Sequence, residues 1–233
     1  MSPAAIAGLG FLLGLRHAFE PDHLAAVSTL ATRQGRVWHG ARLGLIWGLG
    51  HTATVALVAL VVLATGWRLP AAFSAAAELL VAVFLVLLGV PVLVRYARGR
   101  WHIHAHAHEG APHVHLHSHA DTTAHAHAHP AWDARRSLGL GFAHGLAGSA
   151  AVVVLLVAAA PGAAERVAYV AAFGAGTVLG MFAVSLTLGL LVRAAAGGSA
   201  RLARLLHLGS AAASVATGCI LALRVLGEIA GAR

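Results

Sequence analysis

Lysine is missing from the chain altogether, cysteine occurs once, at Cys219, and methionine twice, at Met1 and Met181. One cysteine excludes an internal disulfide and a thiolate cluster. Two methionines exclude a thioether relay for a soft ion such as Cu(I). Charge is scarce too: 10% of the 233 residues are charged, against roughly 25% in a soluble domain. The chain has no nucleotide-binding motif, which excludes ATP hydrolysis by the chain itself. It has no His-Glu-x-x-His, which excludes an intramembrane zinc protease of that type. It also lacks the several boundary His boxes that a desaturase-like di-iron centre requires.

What the chain does hold is apolar residues, 59% of the total, with a mean hydropathy of +0.79. They fall in repeated runs long enough to cross a bilayer, which takes about 20 helical residues. The expected fold is therefore all-α: a polytopic membrane helix bundle of about six transmembrane helices. The spans are Pro3–Leu30, Ala41–Thr65, Ala71–Tyr96, Ser137–Ala160, Glu165–Val192 and Ala203–Leu226. The N-terminal run has no basic start and picks up Arg16, Glu20, Asp22 and His23, so it reads as a retained helix rather than a signal peptide. The first three spans occupy 1–97 and the last three 137–233, with a hydrophilic, His-rich insert at 98–136. No sequence repeat is evident between the two halves.

The formal charge is +8, and all 16 basic residues are arginine. They sit at the ends of apolar runs rather than along one face, which excludes a nucleic-acid surface and reports topology instead. Arg33, Arg36, Arg42, Arg95, Arg98, Arg100, Arg135, Arg136, Arg193, Arg201 and Arg204 fall on one side. Arg68, Arg166 and Arg233 fall on the other. The positive-inside bias makes the first side cytoplasmic. This is a multi-pass protein of the cell (plasma or inner) membrane, with both termini outside and the His-rich loop cytoplasmic. Small residues recur every four positions, as in Gly10, Gly14 and Ala18, or Gly141, Gly145 and Ser149. That spacing lets helices approach closely within lipid.

The chemistry concentrates in Arg16-His17-Ala18-Phe19-Glu20-Pro21-Asp22-His23. Five ionisable side chains sit mid-span, where one charge costs roughly 2.5–3.5 kcal/mol on insertion scales. They must therefore face the protein interior and pair or bind something. On a straight helix His17 and Asp22 would lie about 140° apart. Pro21, which lacks an N–H and clashes with the carbonyl of His17, should break the helix. The break brings both sides of the motif together and frees carbonyls, as in the midplane ion sites of transporters. Two imidazoles and a carboxylate suit Ni²⁺, Co²⁺ or Zn²⁺. A structural pair of Arg16 with Glu20 or Asp22 is the plainer alternative. His51, in Gly50-His51-Thr52, and His144, in Ala143-His144-Gly145, are glycine-flanked and join the candidate metal ligands His17, Asp22 and His23. Glu78 lies near the outer end of its span and is left outside the site.

The insert carries 11 of the 17 histidines: His102, His104, His106, His108, His113, His115, His117, His119, His125, His127 and His129. Its low complexity predicts disorder, and its density of imidazoles predicts loose, accessory metal binding.

His17-Ala18-Phe19-Glu20-Pro21-Asp22-His23 resembles the His-x4-Asp-His signature of the nickel/cobalt transporter superfamily. Leu49-Gly50-His51-Thr52 is similar to the Leu-Gly-His-Ser/Thr of its next helix. The likeness continues through Gly141–Ser149 and Phe173–Met181. It implies transmembrane transport of Ni²⁺ or Co²⁺, with the lipid bilayer and the divalent ion as partners and no other cofactor. The chain lacks the extra N-terminal helix of the long uptake form and has Phe142-Ala143-His144 where that form has a Phe-Asp-Thr type sequence. It thus looks like the short branch associated with urease maturation. Cytoplasmic metallochaperones of urease or hydrogenase maturation follow as implied partners. Asp22, where the efflux branch tends to have Gly, points to uptake, whereas the His-rich loop is shared with efflux members. A zinc or other divalent-metal transporter or exporter, and a membrane protein that stores or senses metal through its loop, are the alternative readings.

Overall fold

The computed structural model describes residues 2–32, 37–66, 70–98, 102–108, 111–117, 134–147, 162–198 and 200–231. Its helices are α1 (Pro3–His17), α2 (Pro21–Thr32), α3 (Val37–Thr65), α4 (Ala71–Ala97), α5 (134–147), α6 (Ala163–Gly198) and α7 (Ala200–Gly231). Four of them, α3, α4, α6 and α7, are long and apolar enough to cross a membrane by themselves. The first expected span is instead two short helices, of 15 and 12 residues. The second half of the fourth expected span, 148–160, lies outside the described residues.

The break in the first span falls where Pro21 predicts it. Ser2 caps α1, its hydroxyl accepting from the Ala5 N–H at 3.3 Å. The helix then tightens and stops: the Phe19 and Glu20 amides donate to the Arg16 and His17 carbonyls at 2.9 and 3.0 Å. Pro21 opens α2, a position where its missing N–H costs nothing. The carbonyls of Arg16 and His17 are used by this turn, so they are not among those the break would free.

Small residues set the helix packing. A Cβ on Gly141 or Gly145 would overlap the carbonyl oxygen of Trp47 or His51, so α5 lies backbone to backbone on α3. α1 meets α6 in the same way, with Gly10 at Tyr169 and Gly14 at Phe173. α3 runs antiparallel to α6, with Gly44 at Ser185, Gly48 at Val178 and Thr52 at Gly174. α4 runs antiparallel to α7, with Gly89 at Ala211 and Gly218 at Ala82. Hydroxyls staple these contacts. Thr54 donates to the Phe142 carbonyl at 3.1 Å, Thr177 to the Gly14 carbonyl at 3.2 Å and Ser214 to the Leu85 carbonyl at 2.8 Å. Large apolar side chains such as Leu57, Leu87, Leu190 and Leu223 point outward, as lipid contact requires.

The His-rich insert departs from the expected disorder. β1 (His102–His108) and β2 (Ala111–His117) pair antiparallel, with His102 opposite His117, His104 opposite His115 and His106 opposite His113. The reason is periodicity. A histidine at every second position, alternating with Ile103, Ala105, Ala107, Val114 and Leu116, is a strand pattern, and composition alone hides it. His119, His125, His127 and His129 lie outside the described residues.

Candidate metal site

Four helices deliver the candidate ligands to one place inside the bundle. His17 is the last residue of α1, Asp22 and His23 stand in the first turn of α2, His51 is mid-way along α3, and His144 is on α5. The glycines explain the convergence. Gly141 and Gly145 let α5 slide against α3 on either side of His144, and Gly14 seats α1 on α6 one turn before His17.

The geometry is tight. The Nε2 atoms of His17 and His51 are 3.1 Å apart. Asp22 bridges two imidazoles, with one carboxylate oxygen 3.1 Å from Nδ1 of His23 and the other 3.0 Å from Nε2 of His144. The ring of His23 lies 4.4 Å from that of His17 and 4.3 Å from that of His144. Relative exposures are 0% for His51, 1% for His23, 5% for His144 and 7% for His17, so the imidazoles are shut off from both water and lipid. Trp47 forms a wall, its ring packed against His23 and edge-on to His144.

Two polar atoms in this packed cluster have no partner: Nε2 of His23 and Nδ1 of His51. A buried, unsatisfied polar atom costs about 1–3 kcal/mol, and a dication would supply the missing interaction. Among the described residues, donor atoms close enough to share one ion form two groups, His17 with His23 and His51, and Asp22 with His23 and His144. Imidazoles with one carboxylate fit a borderline divalent ion.

All five residues singled out in the sequence are thus brought together. The plainer alternative is not what the structure holds. Arg16 is exposed, and among the described residues Glu20 and Asp22 pair with histidines. Glu78 lies away from the site, as expected, in an ion pair with Arg224 between α4 and α7. Two neighbours were not legible as site residues. Glu20 accepts at 3.0 Å from Nδ1 of His17 with its carboxylate half-exposed, which turns Nε2 of His17 toward His51. Its three-residue spacing from His17 was the available signal. Trp47 gave no signal beyond its place one turn before His51.

Comparison with known proteins decides the family. The family model described as "High-affinity nickel-transport protein" (NicO) matches residues 4–230. The chain belongs to this family. A curated relative, "Urease accessory protein UreH" of Bacillus sp. (strain TB-90), is 35% identical over 185 residues, covering 79% of this chain and 76% of the relative. No solved structure matches. Membership of the nickel-transport family makes the chain a multi-pass membrane transporter of nickel, in agreement with its apolar helices.

Proposed function

We propose that this nickel transporter carries Ni²⁺ into the cell through the buried cluster of His17, Asp22, His23, His51 and His144, and accepts Co²⁺ on the same donors. The observation that carries this reading is the partnerless pair of nitrogens on His23 and His51 within a cluster that, among the described residues, pairs with no arginine. A structural ion-pair network would be neutralised from within, whereas this one is completed by a dication. The membrane helices of 1–97 and 137–233 build the permease, and 98–136 is its accessory metal-binding loop. Ni²⁺ released inside passes to metallochaperones, in keeping with the urease-accessory name of the relative. Accumulation and release of radioactive nickel and cobalt, followed in cells that express the chain, test direction and selectivity together. Net inward accumulation is expected. Faster loss of nickel from preloaded cells would reverse the direction.

The arginine distribution puts both termini outside and 98–136 in the cytoplasm. Helix directions support the two termini sharing one side, since α1 and α6 run the same way while α3 opposes α6, and the arginine bias chooses which side that is. An even number of spans then returns the C-terminus to the side of the N-terminus. In a Cys219→Ser background, Thr122→Cys should resist an impermeant thiol reagent in intact cells and react after permeabilisation. Labelling in intact cells would invert the topology.

Removal of 101–129 should leave the protein inserted and nickel accumulation measurable. The candidate ligands of the buried cluster lie on α1, α2, α3 and α5, and low-complexity inserts are places where chain removal is tolerated. The membrane fraction and the initial uptake rate check this. Loss of inserted protein would make the insert part of the fold.

A further inference from the structure

The helix contacts of the first half recur in the second with the chain direction reversed. Gly50 of α3 faces the Leu138 carbonyl and the Phe142 amide of α5, and Gly176 of α6 faces the Phe11 carbonyl and the Leu15 amide of α1. Gly141 sits on the Trp47 carbonyl, and Gly14 on that of Phe173. Gly48 meets Val178, and Gly174 meets Thr52. Gly89 sits on the Ala211 carbonyl and against Val215, while Gly218 sits on the Ala82 carbonyl and against Val86. A single exchange relates all these pairs, swapping α1 with α5, α3 with α6 and α4 with α7. Because α3 and α6 are antiparallel, as are α4 and α7, the exchange is a two-fold rotation about an axis in the membrane plane. Such inverted repeats place a transporter's site at the repeat interface and let one half rock against the other.

The exchange carries Gly14-x-x-His17 onto Gly141-x-x-His144, so His17 and His144 are counterparts. Each belongs to a different one of the two donor groups, and His23 belongs to both. His51 has no such partner, since its counterpart is Thr177, whose hydroxyl is used on the Gly14 and Phe173 carbonyls at 3.2 and 2.9 Å. The two groups also differ in charge. One is three imidazoles, with the half-exposed Glu20 behind His17. The other contains the Asp22 carboxylate itself.

We infer that the ion occupies two overlapping positions in turn, His17–His23–His51 and Asp22–His23–His144, and that His23 passes it between them as the halves rock. The inference rests on the nickel-transport reading of the cluster. Two dications sharing one imidazole would repel each other strongly, so one ion moves between positions. The Asp22 position holds it more firmly because the carboxylate offsets its charge.

Full-length protein with the eleven insert histidines replaced by alanine, in lipid nanodiscs, separates the possibilities with Co²⁺ as a spectroscopic probe and Ni²⁺ titration for affinity. His144→Gln should keep one ion per chain, weakened at least about 10-fold, with the visible spectrum of an imidazole-only site. His51→Gln should keep one ion with a smaller loss and a different, carboxylate-containing spectrum. His23→Gln should lose both, and all three should stop transport. Identical spectra and equal losses for His144→Gln and His51→Gln would mean one five-donor site and overturn the inference alone. A starting protein that binds no stoichiometric nickel would overturn the metal-site reading as well. Size-exclusion profiles matching the starting protein establish that each variant is folded.

Discussion

Asp22→Asn is expected to lower nickel transport by about 100-fold or more while leaving the protein inserted and monodisperse. The substitution keeps the size of the side chain and its ability to bond, but removes the one full negative charge that bridges His23 and His144. A dication in a medium of low dielectric needs that charge, since exposing it uncompensated costs several kcal/mol, and each 1.36 kcal/mol is a factor of ten. The neutral amide also leaves one imidazole facing an NH₂ group instead of an acceptor. Initial rates of radioactive nickel uptake, normalised to protein in the membrane fraction, measure the effect. Uptake within a few-fold of the unsubstituted protein would remove Asp22 from the path of the ion.

Gly141→Ala is expected to destabilise the bundle by about 3 kcal/mol and to abolish nickel binding in the protein that remains. The added methyl would overlap the Trp47 carbonyl and crowd the His51 amide. These are backbone atoms of a helix and cannot rotate away, unlike the end of a flexible side chain. Overpacking of a dense interior costs typically 1–3 kcal/mol, and a contact with no soft partner lies at the top of that range. Relief comes by moving α5 away from α3, which draws His144 away from His23 and Asp22. The control lies on the same helix. Gly139 has open space where its Cβ would be, so Gly139→Ala should be neutral or slightly stabilising, because alanine is the better helix former by about 1 kcal/mol. Thermal denaturation in detergent and nickel titration check both variants. Equal behaviour of the two would show that the α3–α5 contact is not close-packed.

The buried cluster was legible because the membrane makes polar residues conspicuous. His17, Asp22, His23, His51 and His144 stand out where a charge is expensive and glycines surround them. Pro21 announced the break because its chemistry is local, a missing amide hydrogen and a ring that excludes the preceding turn. Over His102–His117 low complexity points to disorder while the two-residue period points to a strand, and the structure follows the period. Glu20 stands three residues after His17 and four after Arg16, so helical spacing allows either partner, and only the structure chooses His17.

Local chemistry written in the chain thus determined the class of protein, the position of the helix break and the candidate ligands. Each depends on one residue type and its immediate neighbours. Only the tertiary structure decided that the five candidate ligands form two overlapping groups sharing His23, and that Asp22 bonds His144 rather than Arg16. It alone revealed the inverted relation of the halves, which the sequence conceals. Helix packing in lipid asks only that a residue be small where two backbones meet, so the two halves keep glycine spacing and Gly-x-x-His while their other side chains differ. Which backbone each glycine meets is a property of three-dimensional contact, set by helix direction and crossing, and no spacing along the chain records it.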